Sequence, residues 1–112
     1  LLQLHVAEEE TKFGFTPEEC MEYLRSGEFR NLQGVVISGI MCMATNTDDE
    51  QRIRRDFSTA NEFFQQCCRE FPELGESMQF RSWGMSDDYR IAIEEGSNIV
   101  RIGSLIFGQR TY

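Results

Sequence analysis

The sequence predicts an α/β domain built from four βα units around a parallel sheet. Three observations lead to this prediction. Apolar strand patterns alternate with helical patterns four times, and the final helix has barely begun where the chain ends. The 112 residues correspond to one domain that is long enough to bury a core. No repeat, low-complexity stretch or linker interrupts the chain, so we treat residues 1–112 as a single domain.

The first unit begins with a strand over residues 1–7, where apolar and polar side chains alternate with a period of two. A polar loop follows. Thr16 then opens a helix as its N-cap, because Pro17 suits the first turn and Glu19 completes a capping box. Gly27 is the natural residue to end this helix.

The second and third units are predicted from apolar runs and one helical stripe. A strand is expected over residues 35–43 and a long helix over residues 48–70. The apolar stripe of that helix repeats at spacings of four and three and consists of Ile53, Phe57, Ala60, Phe64 and Cys67. Pro72 and Gly75 are expected to end this region, and a short strand follows over residues 78–83.

The fourth unit starts with a short helix for which Ser86 is the predicted N-cap. Asp87 and Asp88 suit the positive end of the helix dipole, and Gly96 ends the helix. The last strand is predicted over residues 98–102, and a Gly-Ser pair follows it directly.

Charge and cysteine content narrow the range of partners. The formal net charge is −8, which argues against nucleic acid and anionic membranes as partners, because both require a basic surface. No apolar run is long enough for a membrane span, and no signal peptide is visible. The four cysteines show no CxxC spacing and the chain has one histidine, so we expect reduced thiols in a cytoplasmic protein and no metal cluster.

Two segments place glycine and a hydroxyl side chain directly after a strand. These are Gly84-Met85-Ser86 and Gly103-Ser104. In parallel α/β folds the carboxyl ends of the strands carry the binding site, and barrels commonly bind phosphate at their last two strands. The glycines let a ligand approach the backbone, and helix N-termini offer free N–H groups to an anion. Ordinary turn and cap chemistry is the alternative explanation of each segment taken alone.

Several segments together resemble the YggS/PROSC family. They are residues 82–89 (SWGMSDDY), 92–97 (AIEEGS), 100–104 (VRIGS), 106–108 (IFG), 9–14 (EETKFG) and 39–44 (GIMCMA). The resemblance covers nearly the whole chain. It implies a parallel (βα)4 half of a TIM-type barrel, similar to the alanine racemase N-terminal domain, and specifically the C-terminal half. It also implies binding of pyridoxal 5′-phosphate (PLP) and a part in vitamin B6 homeostasis, and catalysis is not established for such proteins.

The resemblance implies six cofactor-binding residues: Gly84, Met85, Ser86, Arg101, Gly103 and Ser104. The turn around Ser86 is expected to contact the PLP phosphate from one side, and Gly103 and Ser104 from the other. Arg101 is expected to face the pyridine nitrogen, where a fixed positive charge disfavours protonation of the ring. A surface salt bridge is the alternative role for this arginine.

The chain departs from the family at the lysine that forms the Schiff base. That lysine is expected upstream of Leu1, whereas Lys12 matches a different family lysine in a loop. For Lys12 we expect an ion pair with one of Glu8–Glu10. PLP would then bind non-covalently at most, phosphate or sulfate could take its place, and this chain alone would not be an enzyme.

Two other functions remain open at this point. The parent protein could be a racemase-like PLP enzyme whose lysine lies in a missing N-terminal half, or the chain could be a half-barrel without a cofactor. Four parallel strands cannot close a barrel, so both outer strands are expected to have open edges. We therefore expect self-association, or association with the missing N-terminal half.

Overall fold

The computed structural model describes residues 1–108 and confirms the predicted α/β class. The strands are β1 (Leu2–Leu4), β2 (Gly39–Cys42), β3 (Phe80–Met85) and β4 (Ile99–Arg101). The helices are α1 (Pro17–Ser26), α2 (Glu50–Glu70), α3 (Pro72–Ser77), α4 (Tyr89–Glu94) and α5 (Ser104–Phe107), with a short 3-10 helix at Glu28–Asn31. All four strands are parallel and lie in the order β1-β2-β3-β4. Among the described residues, no helix has the length and apolar character needed to cross a membrane.

The two faces of the sheet have different environments. One face packs against helices and contributes Leu4, Ile40, Cys42 and Trp83 to the buried core. The strand register places Gln3, Met41, Ser82 and Ile99 together on the opposite face. Exposed large apolar side chains lie on this second face, including Phe80 and Ile99. The fold is therefore a two-layer arrangement with one uncovered sheet face.

Two helix predictions are confirmed in detail. The five residues of the predicted apolar stripe on α2 are all buried. The capping box at the start of α1 is present: the Thr16 hydroxyl accepts from the Glu19 N–H at 3.1 Å, and the Glu19 carboxylate accepts from the Thr16 N–H at 3.1 Å. Gly27 ends α1 in the left-handed conformation, with φ of 79°.

The predicted strand over residues 35–43 is too long at its start. Val35 and Val36 are exposed, and β2 begins only at Gly39. Within the described residues, the pairing of β2 with β3 begins at Gly39 and its pairing with β1 at Ile40, so Val35 and Val36 lie outside both ladders.

Three further boundaries differ from the sequence prediction. The third strand spans residues 80–85 instead of 78–83, because its pairing with β2 begins opposite Gly39. The N-cap of α2 is Asp49, whose carboxylate accepts from the Gln51 N–H at 3.1 Å. Pro72 opens helix α3 instead of ending the region, since proline is well tolerated in the first turn of a helix.

The outer edge of β1 is partly covered, contrary to the expectation of an open edge. Phe15 forms a parallel bridge with Leu4. Its N–H donates to the Gln3 carbonyl at 3.0 Å, and its carbonyl accepts from the His5 N–H at 2.6 Å. Gly14, at φ of 117°, allows this approach, because a Cβ there would lie 2.7 Å from the Gln3 oxygen. The Gln3 carbonyl and the His5 N–H, on the outer side of β1, therefore have hydrogen-bond partners within the chain.

Candidate cofactor site

A β-bulge in β3 turns the end of this strand toward the open face. Ser82 pairs with Ile99 and Met85 pairs with Arg101, so three steps along β3 match two steps along β4. Gly84 lies in the bulge at φ of 109°, a conformation that favours glycine. Because residues paired across a sheet share a face, the extra residue brings Met85 to the same face as Arg101.

Two polar side chains just before β4 hold the bulge in place. The Ser97 hydroxyl oxygen lies within hydrogen-bonding distance of the Trp83 and Arg81 carbonyl oxygens, and its one proton can be donated to either of them. The Asn98 side chain accepts from the Arg81 N–H and donates to the Gln79 carbonyl, both at 2.8 Å. These bonds connect the segment before β4 to β3 on the N-terminal side of the bulge and at Trp83.

The turn after β3 links two neighbouring βα units. The Ser86 hydroxyl accepts from the Leu105 N–H at 3.2 Å, at the start of α5. The prediction that Ser86 is the N-cap of the following helix is therefore wrong: Asp88 occupies that position. The bulge and the turn direct the Ser86 side chain toward the next unit instead of its own helix.

Five of the six predicted cofactor residues line one cavity of about 760 Å³ at the carboxyl ends of β3 and β4. The lining residues are Met85, Ser86, Asp87, Arg101, Ile102, Gly103, Ser104, Phe107 and Gly108. Gly84, the sixth, does not line the cavity. It is buried, and an added Cβ there would lie 2.6 Å from the Ala92 Cβ. Gly84 thus lies where β3 packs against α4.

Arg101 reaches across the end of the sheet. Its guanidinium donates to the Cys42 carbonyl of β2 at 3.2 Å, and its Nε is buried without a partner among the described residues. No salt bridge of this arginine occurs in the described part of the chain, so the alternative role predicted for it is not the one observed. A half-buried guanidinium with a free N–H suits a ligand that offers an acceptor or a negative charge.

A second cavity of about 670 Å³ adjoins the first. It is lined by Lys12, Met43, Ala44, Thr45, Asn46, Thr47, Asp48, Glu50, Ile53, Met85, Asp87, Asp88 and Ile91. The expected ion pair between Lys12 and one of Glu8–Glu10 is not found within residues 1–108. Glu9 instead accepts from the Asn46 N–H at 2.9 Å, which lowers the pKa of that carboxyl group. Lys12 is left facing the cavity.

The loop after β2 is anchored by a buried carboxylate that the sequence analysis missed. Asp56 of α2 is 2 % exposed and accepts from the Thr45 N–H at 2.8 Å and from its hydroxyl at 2.6 Å. Arg52 lies 3.0 Å from the same carboxylate. The Thr45 hydroxyl also accepts from the Glu8 N–H, which joins the first two loops. The signal in the sequence is an acidic residue within the apolar stripe, three positions after Ile53.

Comparison with known proteins identifies the family. Residues 2–111 match the family described as alanine racemase, N-terminal domain. The chain belongs to this family. The similarity extends to curated relatives named pyridoxal phosphate homeostasis protein. A protein from Helicobacter pylori is 38 % identical over 96 % of this chain and 44 % of its own length. One from Aquifex aeolicus is 36 % identical over the whole chain and 47 % of its own length.

These relatives confirm the resemblance to the YggS/PROSC family, and the chain spans about half of their length. Among solved structures, this alanine racemase N-terminal domain protein resembles an unknown protein from Bifidobacterium adolescentis, with a TM-score of 0.85 and 31 % identity over 96 % of this chain and 42 % of that one. It also resembles PipY of Synechococcus elongatus with PLP bound, with a TM-score of 0.77 and 26 % identity over 95 % of this chain and 49 % of that one.

Proposed function

We propose that this chain binds PLP as the C-terminal half of a pyridoxal phosphate homeostasis protein. The observation that carries the proposal is that Met85, Ser86, Arg101, Gly103 and Ser104 all line the same cavity. The names of the relatives and the PLP bound by PipY support it.

The phosphate of PLP fits the part of the cavity between the turn at Ser86 and the Gly103-Ser104 segment. The Ser86 hydroxyl can donate to a phosphate oxygen while its own oxygen accepts from Leu105. The N–H groups of Gly103 and Ser104 precede the first helical bond of α5, so they have no partner inside that helix. A phosphate would satisfy these donors, and Arg101, which lines the same cavity, would add a positive charge.

The Nε of Arg101, which has no partner within residues 1–108, fits the pyridine ring of PLP. A fixed guanidinium beside the ring nitrogen disfavours a second positive charge, so the nitrogen stays unprotonated and acts as a hydrogen-bond acceptor. PLP supplies a reactive aldehyde and an electron-withdrawing ring when bound. An unprotonated nitrogen weakens that electron withdrawal, which suits a cofactor carrier.

We further propose that this chain binds PLP non-covalently and is not by itself an enzyme. Lys12, its single lysine, lies in the loop after β1 and faces the adjoining cavity rather than the phosphate cavity. Treatment with PLP and borohydride followed by peptide mass analysis tests this. We expect less than stoichiometric labelling, and a stoichiometric pyridoxyl group on Lys12 would contradict the proposal.

A PLP titration of site variants tests the binding proposal. We expect Ser86→Ala and Ser104→Ala each to weaken binding by about 1.5–3 kcal/mol, because each loses one hydrogen bond to a charged group. Ser77→Ala is the matched control, since the Ser77 hydroxyl donates to the Ile37 carbonyl at 2.8 Å, on an element outside the cavity. Trp83, the single tryptophan, lies on β3 near the site and provides a fluorescence signal. Equal affinity for all four proteins would rule out this cavity as the phosphate site.

The uncovered sheet face supports a proposal about partners. Phe80, Met85 and Ile99 are 40 %, 45 % and 36 % exposed on or beside this face, which is unfavourable in water. We propose that a second copy of the chain, or a polypeptide corresponding to the rest of the relatives' length, covers it in the cytoplasm. Sedimentation at micromolar concentration tests this. A monomer of 13.0 kDa with cooperative unfolding would contradict the proposal.

A further inference from the structure

The side chain of Asp88 folds back onto the end of β3. Its Oδ1 accepts from the Met85 N–H at 2.8 Å, and its own N–H donates to the Met85 carbonyl at 3.2 Å. Asp88 is the N-cap residue of α4, yet within residues 1–108 its carboxylate makes no capping bond to that helix. Asp88 therefore closes the turn over positions 85–88 through both its backbone N–H and its side-chain carboxylate.

This closed turn sets the position of Ser86. Ser86 lies inside the turn, and its hydroxyl accepts from the Leu105 N–H at 3.2 Å. Met85 and Ser86 both line the cavity assigned to PLP, whereas Asp88 lines only the adjoining cavities. Asp88 can thus affect the PLP cavity through the shape of the turn without touching the ligand.

We propose that Asp88 is a positioning residue that holds Ser86 in its phosphate-binding orientation through the hydrogen bond to the Met85 N–H. This inference rests on the proposed PLP function, because it assigns a determinant of affinity to the same cavity. The geometry of the acceptor oxygen is the property that matters, and the charge of the carboxylate is secondary. Lys12, Arg101 and Asp87 are the charged groups around it.

Three substitutions separate geometry from charge. Asp88→Asn keeps an acceptor oxygen at the same place and removes the charge, so we expect PLP affinity within about threefold of the wild type. Asp88→Glu keeps the charge but moves it by one methylene, and Asp88→Ala removes the acceptor; both are expected to weaken PLP binding about tenfold or more. The matched control is Asp49→Ala, which removes another carboxylate bonded to backbone N–H groups, at the start of α2. It should lower stability and leave PLP affinity unchanged.

A second measurement does not depend on PLP. The amide resonance of Leu105 in the free protein reports the bond to Ser86, and we expect it to shift in Asp88→Ala and Asp88→Glu but not in Asp88→Asn. The inference is overturned if Asp88→Glu binds as well as the wild type, if Asp88→Asn binds as weakly as Asp88→Ala, or if the Leu105 amide is the same in all variants. Absence of PLP binding by the wild type would instead refute the proposed function, and the Leu105 amide would still decide the role of Asp88.

Discussion

Replacing Gly84 with alanine tests whether the bulge in β3 determines the shape of the site. Gly84 has φ of 109°, which residues other than glycine rarely adopt, and it is a buried residue of β3 that packs against α4. A Cβ at this position would lie 2.6 Å from the Ala92 Cβ and 3.2 Å from a methyl group of Val100. The substitution therefore introduces both backbone strain and a steric clash.

The expected cost is large relative to the stability of a domain of this size. Forcing a residue other than glycine into such a conformation costs about 1–3 kcal/mol. Overpacking a closely packed core costs about 1–3 kcal/mol more. We therefore expect Gly84→Ala to reduce the free energy of unfolding by about 2–6 kcal/mol, out of roughly 5–15 kcal/mol for a typical domain.

Urea unfolding followed by Trp83 fluorescence measures this effect, because Trp83 is the single tryptophan and is fully buried. Gly103→Ala is the control for stability. Gly103 has φ of −85°, and an added Cβ meets no atom within 4 Å in the described part of the chain, so we expect a change within about 0.5 kcal/mol. If Gly84→Ala and Gly103→Ala unfold at the same urea concentration, the argument from the bulge is wrong.

Two further predictions concern the buried polar and thiol groups. Asp56→Ala leaves the buried Thr45 N–H without its acceptor, so we expect a loss of about 2–4 kcal/mol in urea unfolding; a loss below about 1 kcal/mol would show that water replaces the carboxylate. Burial raises the pKa of the Cys20 thiol to about 11, which keeps its thiolate fraction low at pH 8, and access to it is blocked. Cys68 is partly exposed, so we expect a thiol-specific reagent to label Cys68 first in the native protein, and the fully buried Cys20 and Cys67 only on unfolding. Rapid labelling of Cys20 at pH 8 would contradict the buried core.

Local sequence patterns were sufficient for the regular elements. The alternation of strands and helices predicted the parallel sheet, because each element must bury one apolar face against its neighbour. The stripe on α2 and the capping box at Thr16 depend on spacings of three and four residues, so the sequence alone revealed them. The position of Ser86 and of Gly103-Ser104 after their strands was also readable, because parallel strands end at the same edge of a sheet.

Strand boundaries and individual roles depended on contacts between segments that are distant in sequence. Val35 and Val36 have strand-forming side chains, but they lie outside the sheet, since β2 pairs with β3 only from Gly39 onward and with β1 only from Ile40 onward in the described residues. Lys12 lines a cavity together with residues of the loop after β2, and the Asn46 N–H of that loop donates to the Glu9 carboxylate. No local pattern contains this information.

The sequence by itself determined the α/β class, the four βα units and the residues that lie at the carboxyl edge of the sheet. The tertiary structure decided how those residues face one another. The bulge at Gly84 brings Met85 to the face of Arg101, and the turn then points Ser86 at α5 instead of α4. These features follow from the register between β3 and β4 and from the close packing of Gly84 on Ala92, and both are set only when the strands and helix come together.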